Sequence, residues 1–341
     1  MVVVLPWLQV DHGGSSETDP DPLQIAAPAA GAPTNLTVAR LSRPNGRVRN
    51  QRPALAAAAL TVVALGAAPV AALPNDIHLV RLIDDDGAGG YLQDDAAFRA
   101  VTRELGLVMT PTSMQVAETT GHSGFDFGLD YSFHTMRFDE DYWRAREERA
   151  VPLLMTLGAR ARKGFVLPVP LTSEVEFGAE WLIDSQLLNL GTNVRVALNE
   201  GFRWIPDLAV QAGINRMVGN DELDLLTVTA GGQVSKGFGI AGSFNVNPFV
   251  GYQSIWVNAS SRIIDANPID TANVEDNYVF ALVPLAQNRM DRLSVGLRLV
   301  VAVVSITGGV DIDFVDPVDG TAAGGAQQNM LHYTIRAGVL L

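Results

Sequence analysis

From Gly124 to the chain end, apolar and polar residues alternate with a period of two, the spacing of a β-strand with two chemically different faces. In the run 125–134, Phe125, Phe127, Leu129, Tyr131 and Phe133 share one face, and Asp126, Gly128, Asp130, Ser132 and His134 share the other. The same alternation returns over 153–162, 174–183, 190–199, 208–215, 226–235, 293–299, 305–314 and 332–341, and less cleanly over 244–258. Across these runs every Arg, Asp and Glu falls on the polar face.

That sorting decides the fold class. A charge facing lipid near the membrane midplane costs about 2–4 kcal/mol, so a membrane barrel must clear charge from its outer face. The runs are also long enough for a tilted strand to cross the hydrocarbon layer, whereas strands of a soluble sandwich are usually about half that length. Closure into a barrel leaves no backbone group unpaired in lipid. The pattern predicts an all-β fold: a single closed antiparallel transmembrane β-barrel over 123–341. It should have about ten strands, or twelve if 259–289 hides a further pair.

The connections predict its orientation. With ten strands, those near 163–170, 200–205, 236–243 and 301–303 fall on one side and are short. Those near 137–149, 259–289 and 316–328 fall on the other and are longer, although 184–187 and 217–222 are short there too. Short periplasmic turns and long external loops are the barrel rule, and an even strand count returns both barrel ends to the periplasm.

The N-terminal part reads differently. Residues 1–36 are a low-complexity leader, disordered or outside the true reading frame start. Over 37–72 a basic stretch (Arg40, Arg43, Arg47, Arg49, Arg52) precedes an Ala/Leu/Val run ending Pro69-Val70-Ala71-Ala72. This is the order of a secretory signal peptide, with cleavage expected after Ala72. Its depth in the chain suggests translation from further on, near Val38. Residues 73–122 predict a periplasmic or lumen-plugging segment. Within it Asp94 or Asp95 caps a short helix, Phe98, Val101 and Leu105 share a face, and Gly106 is the stop.

Composition narrows the function classes. Hydrophobic residues make up 48% and charged residues 18%, yet beyond position 80 no apolar run reaches the length of a spanning helix. Cys is absent, which removes disulfides, thiolate metal sites and cysteine nucleophiles. The net charge of −13 argues against a nucleic-acid partner. Gly237-Phe238-Gly239-Ile240-Ala241-Gly242 has the spacing of a dinucleotide loop but leads into a strand at Asn245-Val246-Asn247-Pro248. It therefore reads as a turn. Asp84, Asp86 and Asp95 echo a calcium loop with the wrong residues at its fifth and twelfth places. No cofactor and no metal is expected.

Two sets of residues carry the candidate chemistry. Arg160, Arg162, Glu174, Glu176, Glu180, Arg195, Arg298 and Arg336 point inward and line the lumen. Opposite signs on neighbouring strands should pair, because unpaired charge in a narrow lumen is costly. They predict a mostly filled lumen, or a constriction that selects by charge. The second set, Asp130, His134, Asp311, Asp313 and His332, meets where the first and last strands close the barrel, at its outer mouth. His beside carboxylate can activate water or hold a metal. In location alone this is similar to the surface proteases of the omptin type, on ten-stranded barrels.

The chain end, Tyr333-Thr334-Ile335-Arg336-Ala337-Gly338-Val339-Leu340-Leu341, resembles the C-terminal assembly signal of Gram-negative outer-membrane β-barrel proteins. Parity and Tyr333 match, and Leu341 stands where that family has a final aromatic. The resemblance implies outer-membrane location after export, contact with membrane lipid, and insertion by the barrel-assembly machinery through the last strand. The leading expectation is a channel or transporter for a small solute, not an enzyme. Its alternatives are a structural or adhesive barrel with binding loops, and a surface hydrolase.

Overall fold

A computed structural model describes residues 73–88, 90–137, 139–147, 153–166, 171–240, 244–267, 277–315 and 329–341. The leader and the signal segment lie outside these. A 3-10 turn at Leu79–Leu82 leads into a hairpin of β1 (Ile83–Asp85) and β2 (Tyr91–Gln93), followed by helix α1 (Asp95–Met109). Residues 110–120 form no helix or strand, and the barrel strands follow. These are β3 (Phe125–Thr135), β4 (Leu153–Val166), β5 (Thr172–Leu182), β6 (Leu188–Asn199), β7 (Asp207–Val218) and β8 (Leu223–Ser235). A short β9 (Phe238–Ile240) precedes β10 (Phe244–Ser261). The small pair β11 (Ile264–Asp265) and β12 (Asn277–Tyr278) precedes β13 (Arg289–Val301), β14 (Val304–Phe314) and β15 (Met330–Leu340).

Ten of these strands form one closed antiparallel sheet. Neighbours follow chain order, β15 pairs with β3, and β10 pairs directly with β13. The extra pair anticipated within 259–289 exists as β11–β12, but it is two residues long and stands off the barrel sheet. β9 is an addition the alternation did not predict. It pairs with the first three residues of β10, on the side that β8 occupies further along that strand.

The barrel ends meet at one rim, where Phe125 and Leu341 exchange backbone hydrogen bonds of 2.9 and 2.8 Å. The two-residue turn Ala302-Val303 and the connection 200–206 lie at this rim. The connections 136–152, 262–288 and 315–329 lie at the other, so the rim of Phe125 and Leu341 faces the periplasm. No described helix is long and apolar enough to cross a membrane; the strands do so.

The outer belt is apolar: Phe127, Leu129, Phe177, Leu190, Val194, Ile214, Val250, Val295, Ile306 and Ile335 are exposed outward. Charge does reach this face beyond the runs read from the sequence, at the strand ends. Arg216 pairs with Asp224 at 2.8 Å and Arg289 with Asp291 at 3.0 Å near the outer rim, and Lys163 sits beside Phe125 at the inner rim. There the penalty falls to about 0–1 kcal/mol, and long side chains reach the headgroups.

Candidate functional site

The lumen is occupied by the chain's own N-terminal segment. Asp94 caps α1 by accepting from Ala97 N at 2.9 Å, and Phe98, Val101 and Leu105 are buried together. Gly106 is not the stop that its type suggested. The helix runs on to Met109 because Gly106 is where α1 touches the wall: a Cβ there would lie 2.7 Å from Val257 Cγ2. At the outer end, Glu104 fastens the helix to the β3–β4 connection. Its carboxylate accepts from Tyr142 Oη at 2.5 Å, from Trp143 Nε1 at 2.9 Å and from Arg137.

Below α1 residues 110–120 run down to the periplasmic rim, and four arginines from four strands grip this thread by its carbonyls. Arg292 on β13 donates to Leu107 O at 2.8 Å and Thr110 O at 3.2 Å, satisfying the helix C-terminus. Arg160 on β4 donates to Thr112 O at 3.0 Å, Arg336 on β15 to Met114 O at 3.2 Å, and Arg195 on β6 to Val116 O at 3.1 Å. The carbonyls of Thr112, Met114 and Val116 thus meet this arc of the wall. Ser113 O accepts from Gln233 Nε2 on β8 at 2.8 Å. At the bottom, Glu200 accepts from Thr119 N at 3.0 Å.

The same arginines close the wall in layers. Asp130 holds Arg336 (Nη2–Oδ2 3.0 Å) and Arg160, and Arg160 also approaches Glu176 at 3.5 Å and Glu180 at 3.9 Å. One layer lower, Asp126 holds Arg162 and stands 3.4 Å from Arg298, while Glu174 binds Arg195 at 2.8 Å and Arg162 at 3.3 Å. All eight predicted lumen residues are buried and face inward. Buried pairs of this kind need both partners, because removing one strands the other. Beside Thr112 and Ser113 a void of about 20 Å³ remains against Gly178, Gly191 and Gly213. It holds roughly one water.

The predicted mouth cluster is partly assembled. His134 and His332 face each other across the closing strands with Nδ1–Nδ1 2.5 Å apart. His332 Nε2 meets Asp313 Oδ2 at 2.6 Å, and Asp313 is held by Arg292 through two contacts of 2.6 and 2.8 Å. His134 Nε2 reaches Thr156 Oγ1 at 2.9 Å, which donates to Glu180 Oε1 at 2.7 Å. Asp311 lies opposite Ser294 with neither carboxylate oxygen in good hydrogen-bond geometry. Asp130 belongs instead to the arginine layer below. Both histidines are fully buried, and Arg292 ties their chain to the end of α1. Among the described residues no group of His, Asp and Glu is arranged to hold a metal.

The candidate sets left out Arg292, Asp126 and Thr156, and the plugging alternative for 73–122 gave no path for the thread. Arg292 shares the inward parity of Ser294 and Arg298 one step before the run began, so extending the alternation would have found it. The thread has no periodicity, and nothing local marks it.

A closed ten-stranded sheet with an apolar outer belt and a charged interior defines an outer-membrane β-barrel of Gram-negative bacteria. No protein-family model and no curated protein matches the sequence. Among solved structures the fold is similar to the translocator domain of the autotransporter NalP from Neisseria meningitidis. The identity is 11% and the TM-score 0.37, over 72% of this chain and 96% of that one. It is also similar to the transport unit of the autotransporter AIDA-I from Escherichia coli (9%, TM-score 0.30, 72% and 98%). A third is Ail, the attachment invasion locus protein of Yersinia pestis (9%, TM-score 0.23, 64% and 99%).

Proposed function

We propose that the protein is a self-plugged outer-membrane barrel that presents its N-terminal segment at the cell surface, rather than an open pore. The thread carries this reading. Since β3 starts at the periplasmic rim and residues 110–120 climb the lumen, residues 73–94 emerge at the outer rim. There the 3-10 turn at Leu79–Leu82 and the β1–β2 hairpin build a cap, with Asp84, Asp85 and Asp86 exposed. This is a structural or adhesive role, exercised through the outer surface. Export by the signal segment and cleavage after Ala72 belong to the same reading, as does insertion by the barrel-assembly machinery through β15. Leu73 N already donates to Asp76 Oδ2 at 2.8 Å, a contact that a new N-terminal ammonium would strengthen.

A second reading, passage of a small solute, is favoured by the nature of the seal. The thread is held by arginine, glutamine and serine contacts, which water can replace, so a withdrawn thread would leave a charge-lined lumen.

The chain has no Cys, so single cysteines report topology cleanly. With Asp85→Cys, intact cells should react with a membrane-impermeant maleimide, and with Phe202→Cys, on the periplasmic connection, only permeabilised cells should. The reverse pattern would sink the display reading.

A further inference from the structure

The periplasmic end of the lumen is not filled. Below the last gripped carbonyl, the thread, the start of β3 and the lower ends of β10, β13 and β15 enclose a vestibule of about 290 Å³. This is near the lower end of small-molecule sites. Thr120, Asn245 and Asn247 line it, while their oxygens Thr120 Oγ1, Asn245 Oδ1 and Asn247 Oδ1 are buried beneath its surface without a partner. Asn247 is 3% exposed, so bulk water does not satisfy it. Such atoms are uncommon, because each costs its lost hydration.

Charge converges on the same space. Arg298 is 8% exposed, and its one ion pair is with Asp126 at 3.4 Å, a carboxylate already engaged by Arg162. Facing it from the thread, Glu118 has no ion pair among the described residues. An anion alone would meet Glu118, and a cation alone would meet Arg298. A molecule bearing both charges satisfies both.

We infer that the vestibule binds a small zwitterionic solute, its carboxylate on Arg298 and its ammonium toward Glu118. The site opens to the periplasm, so it does not depend on whether the lumen ever conducts.

The test is calorimetric titration of the full chain in detergent micelles with glycine, acetate and methylammonium as probes. Glycine should bind saturably, with acetate and methylammonium weaker by about tenfold or more, the worth of one charge-assisted hydrogen bond. Arg298→Gln and Glu118→Gln should each weaken glycine binding by a similar factor. Glu118→Gln breaks no ion pair of the barrel, and heat-modifiable gel mobility verifies the fold of both variants. Absence of saturable glycine binding, meaning that the vestibule holds only water, would overturn the proposal. So would acetate binding as tightly as glycine, or Glu118→Gln leaving glycine binding unchanged.

Discussion

Arg336 on the last barrel strand holds Asp130 on the first, with Nη2 3.0 Å from Oδ2, and the same guanidinium donates to Met114 O of the thread. One side chain thus closes the barrel seam and anchors the plug. Arg336→Leu should cost about 3–5 kcal/mol, the penalty for breaking a buried pair. It is read as the loss in unfolding free energy in urea with the protein in micelles. Adding Asp130→Asn should recover none of that loss, because Asp130 also holds Arg160, which would then lose that partner. A single-variant loss within about 0.5 kcal/mol, the range of ordinary surface changes, would show that the pair carries little.

Glu104 is the corresponding fastener at the outer end. Glu104→Leu would leave Arg137, the Tyr142 hydroxyl and the Trp143 N–H without their acceptor, loosening the connection from the helix. Trypsin should then cut at Arg144 or Arg146 in the variant faster than in the wild type. Equal cleavage rates would mean that other contacts hold this connection.

Gly106 tests the seat of α1. A methyl at this position meets Val257 Cγ2 at 2.7 Å, so Gly106→Ala should destabilise by about 1–2 kcal/mol despite its better helix propensity. In a Val257→Ala background the clash disappears and the sign should reverse, to a gain of up to about 1 kcal/mol. Melting temperatures of the four proteins give the cycle, and additivity would remove the contact from the account.

The barrel was legible in the sequence; its contents were legible only as a choice, a periplasmic or a lumen-plugging segment over 73–122. Alternation at Phe125 to His134 and its nine repeats is a local signal with a strict period, and lipid enforces it by excluding charge. Asp94 and the Phe98, Val101, Leu105 face are equally local. Residues 110–120 answer to no such rule. Their backbone is satisfied by Arg160, Arg195, Arg292, Arg336 and Gln233, which come from five strands and meet only after closure. The hairpin β1–β2 was hidden for a related reason. At its tip Asp86 Oδ1 accepts from Ala88 N at 2.7 Å and Gly90 N at 2.8 Å, contacts that hydrophobic alternation does not signal.

That tip gives a pH prediction. The two backbone donors hold the Asp86 carboxyl below its usual value of 3.8. Its contribution to the hairpin is therefore present above pH 3.8 and lost as pH falls through the lowered folded value. The amide resonances of Ala88 and Gly90 should titrate together with a midpoint below 3.8. A midpoint at or above that value would mean that the carboxylate does not order the turn.

The plug is tested most directly by single-channel recording in planar bilayers. Wild-type protein should insert without conductance steps at moderate voltage. A variant lacking residues 95–117, with the barrel strands intact, should show discrete open events. Wild-type conductance as large as that of the deletion would contradict a lumen sealed by its own N-terminal segment.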